Sequence, residues 1–244
     1  MELYRAIISK KDLDKMSLEE RVCFIQAGRF INDISMFNKL LFYSLNAPND
    51  EIELKARNAQ SLSILLLIAG KLNECNEFLG KTYGNKIVKQ AYEPLLDDKA
   101  KQAYRRIRRY FNSRDNVIRK IRSTLAFHHD DDVIRTQLAK VGEDEVFEIY
   151  LHEYVGNCLY HISSHLILRH ILDMVDPNDH ALALRSLSTE MRNLVDDANE
   201  FLNDFVRVMA ERHGKDFTPL ETVRVQDPAD IKGISLPYFV SSKI

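Results

Sequence analysis

Apolar residues recur every three to five positions along most of this chain, the period of a helix with one buried stripe and not of a half-buried strand. Val22, Ile25, Phe30, Ile34, Phe37 and Leu41 form the first such stripe. Ser17-Leu18-Glu19-Glu20, just ahead of it, is a capping box, so a helix is predicted from Ser17 to a point before Pro48. A second helix is predicted from about Glu51 to Leu79. Its middle, around Ile64 to Ala69, is apolar on nearly all sides, which marks it as central, and Gly80 and Gly84 are expected to end it in left-handed conformations.

After Pro94, Asp97 and Asp98 provide an N-cap and a favourable charge for a third helix running toward His128, with Asn112-Ser113 as its weak point. A fourth pattern spans about Glu145 to Asp173. A fifth runs from Asp179 to His213 and closes at Gly214. Its stripe of Leu184, Leu187, Met191, Leu194, Ala198, Phe201, Phe205 and Val208 is long enough to pair with a partner helix, so a homodimer is expected. Beyond Lys215, Pro219, Pro228, Gly233 and Pro237 break any helix before a short apolar segment, Leu236 to Val240. The expectation is an all-α, up-and-down bundle of about five long helices over residues 1–214, with an extended tail over 215–244 packed on or beside it.

Composition narrows the class. The 244 residues are 45% hydrophobic and 29% charged, which is ordinary for a globular protein. The longest apolar run is far shorter than the roughly 20 residues of a bilayer span, and the N-terminal stretch lacks a secretory h-region, so no membrane partner and a cytoplasmic location are expected. Cys23, Cys75 and Cys158 are far apart and form no CxxC pair, as expected of reduced thiols. No Gly-rich phosphate loop or internal repeat is present, and no cofactor is expected.

Charge distribution changes the picture. Between residues 99 and 122, Lys99, Lys101, Arg105, Arg106, Arg108, Arg109, Arg114, Arg119, Lys120 and Arg122 face Asp115 alone, a local charge of +9 in a chain of net charge −2. The remainder therefore carries −11. Such segregation favours a polyanionic partner. Tyr104, Tyr110 and Phe111 lie among these charges, and aromatic rings beside guanidinium groups suit unpaired RNA bases and their phosphates. Arg105, Arg106, Arg108, Arg109, Arg114 and Arg119 are the candidate RNA contacts. Under the competing reading these arginines only solvate one helix face while Ile107, Phe111, Ile118, Ile121 and Leu125 pack inward.

The run ends in Arg122-Ser123-Thr124-Leu125-Ala126-Phe127-His128-His129-Asp130. A guanidinium neutralises charge developing on a phosphate and an imidazole titrates near neutral pH, so the pair suits metal-free phosphodiester cleavage. On a straight helix His129 lies seven residues beyond Arg122 and on its face, whereas His128 points elsewhere unless the helix bends. Arg122 could instead pair with Asp130, Asp131 or Asp132.

This segment resembles the signature of the HEPN superfamily, all-helical proteins with an Arg, four to six residues, then a His; both histidines satisfy that spacing. The resemblance implies a dimerising bundle that acts as a metal-independent endoribonuclease of toxin or antiviral type, sometimes with an antitoxin-like protein partner. It also implies that Arg122 stabilises the phosphate while His128 or His129 assists attack by the ribose 2′-hydroxyl. Ser123 stands where catalytic members usually carry Asn, which leaves open a non-catalytic RNA- or protein-binding module. A third reading is a metal-binding bundle enzyme built on His161 and His165, one turn apart, with Glu148 and His152 earlier on the same predicted helix. No zincin or di-iron spacing supports that reading, and no metal ligand is assigned.

Overall fold

Ser17 caps a helix as its sequence dictates: the Glu20 amide donates to Ser17 Oγ at 3.2 Å, and the Ser17 amide donates to Glu20 Oε2 at 2.8 Å. That helix belongs to a computed structural model, which describes residues 1–46, 50–114, 116–126, 131–214, 221–226, 229–230 and 233–241. Of these described residues 71% are helical, and the structure is an all-α helical bundle. The described helices are α1 (Lys10–Leu13), α2 (Leu18–Leu45), α3 (Glu51–Lys81), α4 (Lys86–Tyr92), α5 (Asp98–Asn112), α6 (Val117–Ile121), α7 (Asp131–Leu138), α8 (His161–Val175) and α9 (His180–Arg212). A π-helical turn, Arg122–Ala126, follows α6 directly. Short 3-10 turns at Glu93–Leu95 and Val155–Asn157 and two small antiparallel sheets accompany them: β1 (Glu2–Arg5) pairs with β4 (Glu221–Arg224), and β2 (Ile149–Tyr150) pairs with β3 (Leu159–Tyr160). No described helix is long and apolar enough to cross a membrane.

The chain divides into two compact units, and α2, α3 and α9 contribute residues to both. The first comprises Met1–Ser35, Lys71–Arg114 and Asn193–Ala229; the second comprises Met36–Gly70, Asp115–Arg192 and Asp230–Ile244. The first unit is built on aromatic rings. Phe201 and Phe205, one turn apart on α9, stack at 5.7 Å, and Tyr83 meets each of them edge-on at 5.0 Å. Tyr104 of α5 packs on Tyr83 and Phe201, and Tyr92 of α4 on Phe205. The buried Tyr92 donates its hydroxyl hydrogen to Glu20 Oε1 at 2.6 Å, while His213 Nε2 lies 3.0 Å from the same hydroxyl oxygen. Glu20 thus caps α2 and satisfies a buried phenol.

The second unit has a core of aliphatic and small side chains. Ala56, Ala59, Leu62, Ile64, Leu65 and Ile68 of α3, Ile118 and Ile121 of α6, Leu166, Ile171 and Leu172 of α8, and Leu187 and Met191 of α9 are buried. No aromatic side chain in this unit is fully buried among the described residues.

Several elements depart from the sequence pattern. On α2 the buried residues include Cys23, Ala27 and Ile34, while Val22 and Ile25 are exposed. Gly80 lies inside α3 and does not end it. A Cβ there would stand 3.4 Å from Arg108 Nη1, and one on Gly84 would stand 2.3 Å from the Gly80 carbonyl oxygen. Both glycines serve close approach, and among the described residues the left-handed cap is Gly214, with φ of 76°. The third predicted helix breaks at Ser113, so α5, α6 and the π-helical turn replace one straight rod.

The fourth predicted helix departs most: its first half is irregular chain, the β2–β3 pair and a 3-10 turn, and α-helix begins only at His161. There Val155–Asn157 form an isolated 3-10 turn in which the Tyr154 ring lies over Gly156, where a Cβ would come within 2.8 Å of it, and the chain does not continue as an α-helix. The stripe of α9 is buried within this chain from Leu187 onward, and Leu184 is exposed. His128 and His129 lie outside the described residues.

Candidate functional site

The basic run straddles both units, Arg105 to Arg114 in the first and Arg119 to Arg122 in the second. On α5, Asp97 accepts the Ala100 amide at 2.7 Å and starts the helix. Ala100, Ala103, Ile107 and Phe111, spaced three and four apart, form its buried face. The aromatic residues of this stretch go into packing: Tyr104 joins the Tyr83–Phe201 cluster, Phe111 is buried, and Tyr110 meets the Phe111 ring edge-on at 5.1 Å. They are not exposed stacking platforms.

The α5 arginines separate into two kinds. Arg106 Nε lies 3.0 Å from both carboxylate oxygens of the buried Asp197, and its Nη2 lies 2.6 Å from Oδ1. Arg108 Nη1 donates to the carbonyl oxygen and Oδ1 of Asn76 at 3.1 and 2.6 Å, beside Gly80. These two guanidiniums hold the fold together. Arg105, Arg109 and Arg114 are exposed, and no hydrogen bond or ion pair engages them among the described residues. Arg119 is exposed on α6, where its backbone amide donates to the N-cap Asn116 Oδ1 at 2.9 Å.

Arg122 occupies a different setting. Val117, Ile118 and Ile121 bury one face of α6, and Leu125 continues that face through the π-helical turn. Arg122, the C-cap of α6 and first residue of that turn, is half-buried, and its Nε is shielded from solvent without a hydrogen-bond partner. No described carboxylate pairs with it. Asp131 and Asp132 lie instead in the first turn of α7, where they complement the helix dipole. Ser123 turns its hydroxyl back to the Lys120 carbonyl at 3.1 Å. The straight α-helix assumed in comparing His128 with His129 is replaced by a π-helical turn over Arg122–Ala126, and both histidines lie outside the described residues.

The histidines of the metal reading are differently arranged from the sequence expectation. His161 and His165 are neighbours on α8, with ring centroids 5.8 Å apart, but Glu148 and His152 are not on that helix. Glu148 forms an ion pair with Lys55 and accepts the Tyr150 hydroxyl at 2.8 Å. His165 Nε2 faces Glu145 at 3.4 Å, and Arg169 faces the same carboxylate at 3.6 Å. Burial, with His165 and Lys55 nearby, pulls His161 below the ordinary imidazole value. Among the described residues no group of three His, Cys, Asp or Glu side chains is placed to hold a metal ion.

One polar cluster went unread in the sequence. Asp173 of α8 receives Lys140 Nζ at 2.6 Å and Gln137 Nε2 at 3.1 Å, and its Oδ1 lies 2.8 Å from His180 Nε2. Partial burial pushes its pKa up, but the bonds from Lys140, His180 and Gln137 outweigh burial and bring it down to about 2. Only the Asp173-to-His180 spacing across a helix junction hinted at it.

Compared with protein-family models, curated proteins and solved structures, the chain matches none.

Proposed function

We propose that this chain is a HEPN-like, RNA-directed protein that cleaves RNA without metal, with Arg122 contacting the scissile phosphate and His128 or His129 moving the proton of the attacking 2′-hydroxyl. The observation that carries this reading is the half-buried Arg122 side chain, whose Nε is shielded and unpaired at the start of a π-helical turn, six and seven residues ahead of the two histidines in sequence. A shielded guanidinium nitrogen without a partner is costly, and a phosphate oxygen satisfies it while completing a charge-assisted contact. π-Helical turns are also concentrated at functional sites. Arg105, Arg109 and Arg114, exposed and unengaged among the described residues, supply the salt-dependent part of RNA affinity. Homodimerisation and an antitoxin-like protein partner belong to the same proposal.

The engagement of Ser123 with Lys120 favours a second reading, a non-catalytic module that binds RNA or protein through the same arginines. Incubating single-stranded RNA with the protein in EDTA separates the two. Cleavage leaving 2′,3′-cyclic phosphate ends, lost in a His128→Ala/His129→Ala variant, is expected of the nuclease. Salt-sensitive binding of intact RNA assigns the module.

A further inference from the structure

The second unit contains an extended segment seated like a bound peptide. Residues 234–241 form neither helix nor strand and bend at Tyr238 and Phe239, yet Ile234, Leu236 and Tyr238 are half-buried while Ser235 and Pro237 face solvent, the alternation of an extended chain with one docked side over 234–238. Its backbone is held mostly from side chains. Asn46 Nδ2 donates to the Ile234 carbonyl at 3.1 Å, and the Leu236 amide donates to the Tyr43 carbonyl at 3.0 Å. Asn157 clasps Val240 from both sides, its Oδ1 accepting the Val240 amide at 2.9 Å and its Nδ2 donating to the Val240 carbonyl at 2.7 Å. The Tyr238 hydroxyl donates to the Cys158 carbonyl at 2.9 Å. Tyr238 and Phe239 pack on a shallow apolar floor of Ala56, Ala59 and Leu159, with Tyr150 beside them.

Asn157 determines what this surface accepts. It is buried, and its amide presents one donor and one acceptor spaced for a peptide group. Without an occupant both would be orphaned, so a bare apolar ligand does not satisfy the site and an extended backbone does. Rings on a floor of two alanines and a leucine add a preference for adjacent aromatic residues. We propose that this surface is a peptide-recognition site, filled in cis by residues 234–240, and that its ligand in trans is an extended peptide carrying an aromatic pair followed by a branched residue. Strongly exposed apolar side chains on the connection leading to it, Val146 (85% exposed), Leu151 (74%) and Val155 (79%), provide further contact area for the protein bearing that peptide.

The full chain with Tyr238→Ala/Phe239→Ala loses the anchors of its own segment and should bind a fluorescent peptide of residues 233–241 saturably. The parent should bind it about tenfold or more weakly, because the tethered segment competes. Adding Asn157→Leu to the double variant should abolish binding. Absence of peptide binding by a double variant whose circular dichroism and melting are those of a folded protein overturns the proposal. Hydrogen exchange on the parent is a separate check that needs no variant. The Leu236 and Val240 amides should exchange through local opening, faster than α3 amides, and exchange only at the rate of global unfolding overturns the proposal.

Discussion

Arg106 and Arg122 belong to one basic run but live in different units, and they show that charge density alone does not make a site. Arg106 sits in a unit whose core is a stack of rings, and its guanidinium is consumed by the buried Asp197. Arg122 sits in a unit without a buried aromatic core among its described residues, at a distorted helix turn, with its Nε unpaired. Opposite charge on a neighbouring helix turned the first into a structural tie. The second had no such neighbour in reach among the described residues. Function should follow the uncommitted charge.

The largest effect is expected in the aromatic unit. Phe201→Ala removes a ring that touches Tyr83, Tyr104 and Phe205 and should cost ~3–5 kcal/mol in a urea titration. A loss below ~1 kcal/mol would mean that the ring cluster does not anchor this unit.

Next comes the acid response of the second unit. The folded pKa of Asp173, about 2, lies below its ordinary value of 3.8, so its stabilisation is fully present above pH ~4 and is lost as pH falls toward 2. About 2 kcal/mol is at stake for this largely shielded carboxylate. Urea midpoints at pH 5 and pH 2.5 should converge in Asp173→Asn relative to the parent.

Arg106→Ala leaves Asp197 shielded and unpaired. Because the arginine itself is half-exposed, with 53% of its side chain in solvent, the expected cost is only ~1–2 kcal/mol. Arg122→Ala is expected to change stability by less than ~0.5 kcal/mol, since no pairing partner is lost. Replacing Arg105, Arg109 and Arg114 together by Gln should leave melting unchanged and lower the salt slope of single-stranded RNA binding by about 0.7 per phosphate contact removed. An unchanged slope would remove these three from the interface.

Helices with strong end signals were legible in the sequence. The Ser17–Glu20 box, the Asp97 cap and Gly214 all appear where the pattern placed them, because caps act through local chemistry that neighbours rarely override. What failed depended on contacts that hydrophobic periodicity does not record. The 145–160 stretch carries apolar residues at helix-like spacings, but its conformation follows from Gly156 under Tyr154 and from pairing with Leu159 and Tyr160. Val22 and Ile25 look like core by size, whereas Cys23 and Ala27 are the residues buried on α2 there. The candidate site was half legible. The basic run was visible, but which arginines are consumed depended on Asp197 and Asn76, which are distant in sequence and show no pairing pattern. The clasp by Asn157 left no sequence signal beyond the alternation of Ile234, Leu236 and Tyr238.

The most direct test is the rate of single-stranded RNA cleavage in EDTA for the parent, Arg122→Ala and Arg106→Ala, with melting followed in parallel. Arg122→Ala should lose at least ~100-fold in rate with an unchanged melt, while Arg106→Ala should melt earlier yet cleave at the parental rate wherever it is folded. Parental cleavage by Arg122→Ala, or selective loss of cleavage in folded Arg106→Ala, would contradict the assignment of function to the uncommitted arginine.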